Sequence, residues 1–289
     1  MFDLRYHVAS LAAVFLALVI GILVGVGIAD QGVREAALKD DVSKLNARLA
    51  QAQDELGLLE RQQKPTQDFI ANSYEALMAN RLSGKRVAVV FLGSVDDEIR
   101  GSVDKTVGDA NGQVSALRAL KLPIDARTLR AALAERTLRA QYAGNDGLND
   151  LGRDLAQELV AGGSTPLWDV LGGKLVEEQD GRLRAPVDGV VVARTTPPQK
   201  AQTSRFLAGF YDGLGSSSVP AVGVENLSTP GTAVPVWSKF DLSTVDDLDQ
   251  PEGRLAVALL LAGGEPGSYG VRPKTKALLP PIEPLPAGG

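Results

Sequence analysis

No stretch constrains this chain more than Val8–Ala29, which carries no ionisable side chain between a short charged tip, residues 1–7, and Asp30. At ~1.5 Å per residue, a helix over that run reaches roughly 33 Å, enough to cross a bilayer's hydrocarbon core with slight tilt. The run therefore predicts a single N-terminal transmembrane helix over 8–29, with the lipid bilayer as its first partner. A cleaved signal peptide is the competing reading, because Gly27 and Ala29 suit a small-residue cleavage site. Secretory apolar regions span only about 7–15 residues, so the anchor is preferred. Small residues fall in one register along the run: Ala9, Ala13, Ala17, Gly21, Gly25 and Ala29. Such a stripe lets helix backbones approach closely in lipid, although GxxxG patterns also arise by chance.

Behind the run comes a seven-residue repeat. Val42, Leu49 and Leu56 take the a positions, and Leu38, Leu45, Ala52 and Leu59 the d positions, with Lys44, Arg48, Asp54 and Glu55 elsewhere. An apolar seam with charged flanks predicts a coiled-coil stalk over 30–64, and with the span a homo-oligomer. The competing reading is an amphipathic helix packed on the chain's own domain. Pro65 is expected to end or kink the helix near Lys64, leaving a connecting helix over 65–83. Arg34, Lys39, Lys44 and Arg48 lie just beyond the span and taken literally would hold that side inside, but the rule weakens for long translocated domains. The short tip resembles a signal anchor, so the expected location is the cell membrane, single-pass, with the bulk of the chain extracytoplasmic.

Residues 84–270 read as one mostly parallel, Rossmann-like α/β domain. Arg86–Leu92, Gln113–Ala119 and Gly189–Ala193 are short apolar runs suited to buried strands, as is Val219–Val224. A helix over Val95–Asp109 makes the first βαβ unit. Arg127–Gln141, Leu148–Ala161 and Gln199–Leu214 read as helices, and Thr232–Trp237 as a further strand. Asp246, Asp247 and Asp249 suit the start of a last helix through Leu255–Leu261. A Pro- and Gly-rich tail occupies 271–289.

The chemistry legible in the residues is sparse. A net charge of −5 argues against nucleic acid, and the absence of cysteine excludes thiol nucleophiles, disulfides and zinc thiolates. Gly93–Ser94 follows the first strand where a phosphate loop would sit, but neither GxGxxG nor a Walker pattern is present. Asp96, Asp97 and Glu98 are better read as an acidic first helical turn than as a functional cluster. Ser102–Val103–Asp104–Lys105 matches SxxK, yet its companion elements are missing; Lys274–Thr275–Lys276 lacks the glycine of KTG. His7 is the only histidine, so a domain-borne Ser-His-Asp triad cannot be built. Met1 and Met78 are the only sulfur donors, which makes a copper site within one chain improbable. No catalytic, cofactor or metal residue is assigned, and no enzyme is expected.

The opening Phe2–Asp30, the repeat behind it, and the closing Tyr269–Gly270–Val271 with Leu278–Leu279–Pro280–Pro281 resemble the MctB family of actinobacterial copper transport proteins. The resemblance implies a membrane-anchored role in copper homeostasis or efflux, as an oligomer or accessory, with copper implied by the resemblance only. It also implies a second reading: a cell-envelope protein that partners a membrane or cell-wall protein in cell separation or wall regulation. No liganding motif carries over, because the domain has no cysteine or histidine.

Overall fold

The computed structural model describes residues 4–134, 141–142, 144, 146–229 and 231–283, without the side chains of 4–9, 26–38, 60, 63, 66, 67, 71 and 134. The chain forms two compact units, Met1–Thr66 and Gln67–Gly289.

The first unit is helical throughout its described length and belongs to α1, Leu4–Met78. Two expectations are corrected here. Among the described residues no helix is long and apolar enough to cross a membrane. A transmembrane helix, the bilayer as partner and a single-pass location are therefore not supported. Ala13, Ala17, Gly21 and Gly25 are exposed, with nothing against either glycine; Ala9 and Ala29 lie outside the described side chains.

The coiled-coil stalk is the second correction. Val42, Leu45, Leu49, Leu56 and Leu59 are each more than half exposed, and Ala52 is exposed too. Leu38 lies outside the described side chains. Among the described residues of this chain nothing packs on these positions. The helix is instead supported along its surface by Lys44–Asp40 at 2.6 Å and Gln51 donating to Glu55 at 2.9 Å, both spaced i,i+4. Nor does Pro65 end it. The proline withholds one N–H from the helical ladder, but α1 continues to Met78.

In the second unit, Ile70, Tyr74 and Met78 on the last turns of α1 are buried. Next come β1 (Arg86–Leu92), α2 (Asp97–Asp109), β2 (Gln113–Leu120), α3 (Ala126–Ala134) and α4 (Gly147–Ala161). Then follow α5 (Pro166–Leu175), β3 (Val176–Gly181), β4 (Gly189–Arg194), α6 (Ala201–Gly215) and β5 (Ala221–Val224). The chain continues through α7 (Val234–Trp237), β6 (Ser243–Val245), α8 (Pro251–Leu261) and β7 (Ser268–Tyr269). The strands form one seven-stranded sheet ordered β3-β2-β1-β4-β5-β6-β7, parallel except for the β2–β3 pair.

The period-two alternation of a strand divides the apolar runs between two cores. Ala88, Val90 and Leu92 of β1 and Val190 and Val192 of β4 face the side of α3, α4, α5 and α6. Val87, Val89 and Phe91, with Val191 and Ala193, face α2, α8 and the end of α1. Both faces are covered, which is why these strands are continuous hydrophobic runs rather than alternating ones. On the first side α4 and α6 touch backbone to backbone: a Cβ at Gly209 would stand 1.8 Å from the Asn149 carbonyl oxygen, and one at Gly152 2.1 Å from that of Phe206.

Two local readings change. Thr232–Trp237 is not a strand: residues 234–237 form α7, with Pro235 in its first turn, where its missing N–H leaves no helical bond unmade. Asp246, Asp247 and Asp249 do not open α8, which begins at Pro251 after the cap residue Gln250. Asp246 and Asp247 are instead fully buried.

Candidate functional site

β2 lies on one side of β1 and β4 on the other, so the connections leaving β1 and β4 diverge above the carboxyl ends of these two strands. Open α/β sheets place their ligand crevices at such a switch point. Here the crevice is lined by Leu92 at the end of β1, Leu122 beyond β2, the loop Thr196–Gln199 after β4, Leu207 and Tyr211 of α6, and Val236 and Phe240.

The loop after β4 is held tightly to β1. Thr196 Oγ1 donates to the Leu92 carbonyl at 3.0 Å and Thr195 Oγ1 to that of Ser94 at 2.8 Å. Gly93 makes this approach feasible: its φ is +114°, and a Cβ there would meet Thr196 Cγ2 at 2.4 Å and Thr195 Oγ1 at 2.7 Å. The glycine that sequence inspection considered for a phosphate loop thus serves strand-to-loop packing.

A buried ion pair forms the polar part of the wall. Arg194, the last residue of β4, donates from Nη2 to Glu225 Oε1 at 3.0 Å, just past β5. Their side chains are 5% and 0% exposed. Burial on that scale is tolerable only when the remaining hydrogen-bonding capacity is met, and it is. Arg194 also reaches the carbonyls of Thr196 and Gly231, both at 2.6 Å, while Glu225 accepts from Thr232 Oγ1 at 2.8 Å and the Ala233 N–H at 2.7 Å. Beside the pair, the Tyr211 phenol is pushed up to about 12 by burial, so it stays neutral, and its ring packs on Phe240 at 5.7 Å between centroids.

With its polar groups so engaged, the crevice presents chiefly apolar surface. It encloses about 90 Å³. Clefts that hold cofactors span roughly 300–1,000 Å³, so this one admits a side chain or a few waters rather than a dinucleotide.

The residues considered from sequence are dispersed. Asp96 accepts from the Glu98 and Ile99 N–H groups, both at 3.0 Å, and caps α2, with Asp97 and Glu98 exposed in the first turn. Lys105 pairs with Asp109 at 2.9 Å, and Thr106 donates to the Ser102 carbonyl, leaving SxxK a helix surface. Lys276 pairs with Glu265, and Met78 is wholly buried in the core, closed to any metal. His7 lies outside the described side chains. Among the described residues no group of three or more His, Cys, Asp or Glu is placed to hold a metal ion. Arg194 and Glu225 were missed, yet their signal is visible: each is a charge directly after an apolar run, GVVVA and AVGV.

The family profile described as "Copper transport outer membrane protein, MctB" matches residues 1–280. Proteins named "Copper transporter MctB" from Mycobacterium tuberculosis (strain H37Rv) and Mycobacterium bovis are each 26% identical to the chain, covering 93% of it and 96% of their own length. The relative in M. tuberculosis strain CDC 1551 shows the same identity and coverage. With the profile covering nearly the whole chain, the chain belongs to the MctB family.

Proposed function

We propose that this chain is a cell-envelope member of its family that works by engaging a partner protein of the membrane or wall, in cell separation or wall regulation. The observation that carries the reading is the switch-point crevice. It lies where α/β folds present their sites, is apolar, and is sized for a protruding side chain. The membrane-anchored copper-homeostasis role implied by resemblance is corrected, since among the described residues no helix is long and apolar enough to cross a membrane. Copper transport is stated of the relatives. It would reach this chain through a partner that carries the metal.

The test is a photocrosslinking amino acid at Val236, which lines the crevice and is 41% exposed. In intact cells it is expected to capture one defined envelope protein. Ala208 of α6 also lines the crevice, and filling it by Ala208→Trp should abolish the adduct while leaving the melting temperature within a few degrees. Adducts that persist unchanged in Ala208→Trp, or none at all, overturn the reading.

A further inference from the structure

Beyond β6 the chain buries a carboxylate that nothing answers. Asp247 has no exposed surface, and neither carboxylate oxygen has a hydrogen-bond partner. It is enclosed by backbone on two sides. A Cβ at Gly253, in the first turn of α8, would lie 2.6 Å from Asp247 Oδ1, and one at Gly270, just past β7, 3.1 Å from the same atom.

The charged surroundings do not compensate. On its own loop stand Asp246 and Asp249, and from α8 comes Glu252; all three disfavour a second negative charge at Asp247. Neither nearby cation bonds Asp247, although Arg254 and Arg272 each keep a buried Nε without a partner. Arg254 of α8 donates to the Asp249 carbonyl at 2.9 Å and lies over the Tyr74 ring. Arg272 reaches the carbonyls of Asn226 and Leu227 at 3.1 and 3.0 Å. Glu225, which faces Asp246 from the end of β5, is held by Arg194.

Residues 270–277 form a strap over this pocket. Asp246 Oδ1 accepts from the Val271 N–H at 3.0 Å and Oδ2 from that of Arg272 at 3.3 Å. The strap closes on itself where the Gly270 N–H donates to the Ala277 carbonyl at 3.1 Å and that of Lys276 to Ser268 at 2.7 Å. Gly270 touches both carboxylates: a Cβ there would meet Asp246 Oδ1 at 2.2 Å.

We infer that Asp247 is a proton-operated latch: with its proton on, the strap 270–277 lies closed, and loss of that proton drives the strap off so that water can reach the carboxylate. Burial, then the neighbouring carboxylates, raise Asp247 to about 7, against an ordinary carboxylate near 3.9 once solvated. The closed state binds the proton more tightly than the open one, so opening becomes easier as pH rises. The change is roughly tenfold per pH unit between about 4 and 7, and it levels off above 7.

The experiment is hydrogen exchange on the full chain between pH 5 and 7. After correction for the intrinsic rate, protection of the Val271 and Arg272 amides should fall at least tenfold while the amides of β1 keep theirs. Asp247→Asn, which cannot ionise, should remove the pH dependence. Should that variant fail to fold, ¹³C titration of the Asp247 carboxyl in the native chain decides. Titration in the ordinary carboxylate range, or strap protection that does not change with pH, overturns the latch.

Discussion

Arg194 and Glu225 sit at the ends of adjacent parallel strands, where one side chain without the other would be a bare charge in the interior. Arg194→Ala is therefore expected to lower stability by about 3–5 kcal/mol in urea denaturation, because it strands the Glu225 carboxylate. Adding Glu225→Gln to Arg194→Met should recover most of that loss. A bare charge costs more than the pair gives, so the double variant separates burial cost from attraction. These residues show how far a sequence can be read at this scale. A charge terminating an apolar strand marks a carboxyl-edge position, but which charge meets which depends on β4 and β5 being neighbours in register, Ala193 beside Val224. Asp247 is the reverse case. Its acidic neighbourhood invites a helix-cap reading, and only burial shows that two of those carboxylates, Asp246 and Asp247, have been turned inward.

Elements differ in how much they announce themselves. β1 and β4 are legible because both faces are covered, leaving runs such as VAVVFL with no polar interruption. β3, VEEQDG, is not legible, because a polar edge strand has the composition of a loop. Thr232–Trp237 misleads in the other direction: β-branched and aromatic residues suggest a strand, while Pro235 fits a first helical turn. The α4–α6 contact rests on glycines that carry no periodic signal. Gly209→Ala should cost about 1–3 kcal/mol or more by forcing the two backbones apart, measured as a drop in urea midpoint at unchanged slope. In α1, Pro65→Ala should do the opposite. It restores a ladder bond and removes a helix-interior proline worth roughly 3 kcal/mol, seen as slower amide exchange around residues 61–66.

Across the whole molecule, hydropathy and heptad spacing reported composition and periodicity faithfully but not what packs on them. An apolar run and a heptad spacing each report what a segment could pack against; neither reports what does pack there. Family membership, by contrast, was carried by the literal residues at both ends of the chain and required no packing.

The sheet's rims carry one more consequence. One margin is β3, the strand that runs against its neighbour, where Arg100 clamps Glu178 and Asp180 at 3.1 and 3.2 Å. The opposite margin is β7, only two residues long. An incoming strand meets acid and guanidinium on one side and almost no ladder on the other. The fold is thus guarded against growing by added strands, and whatever docks on it must be recognised through side chains rather than a borrowed backbone.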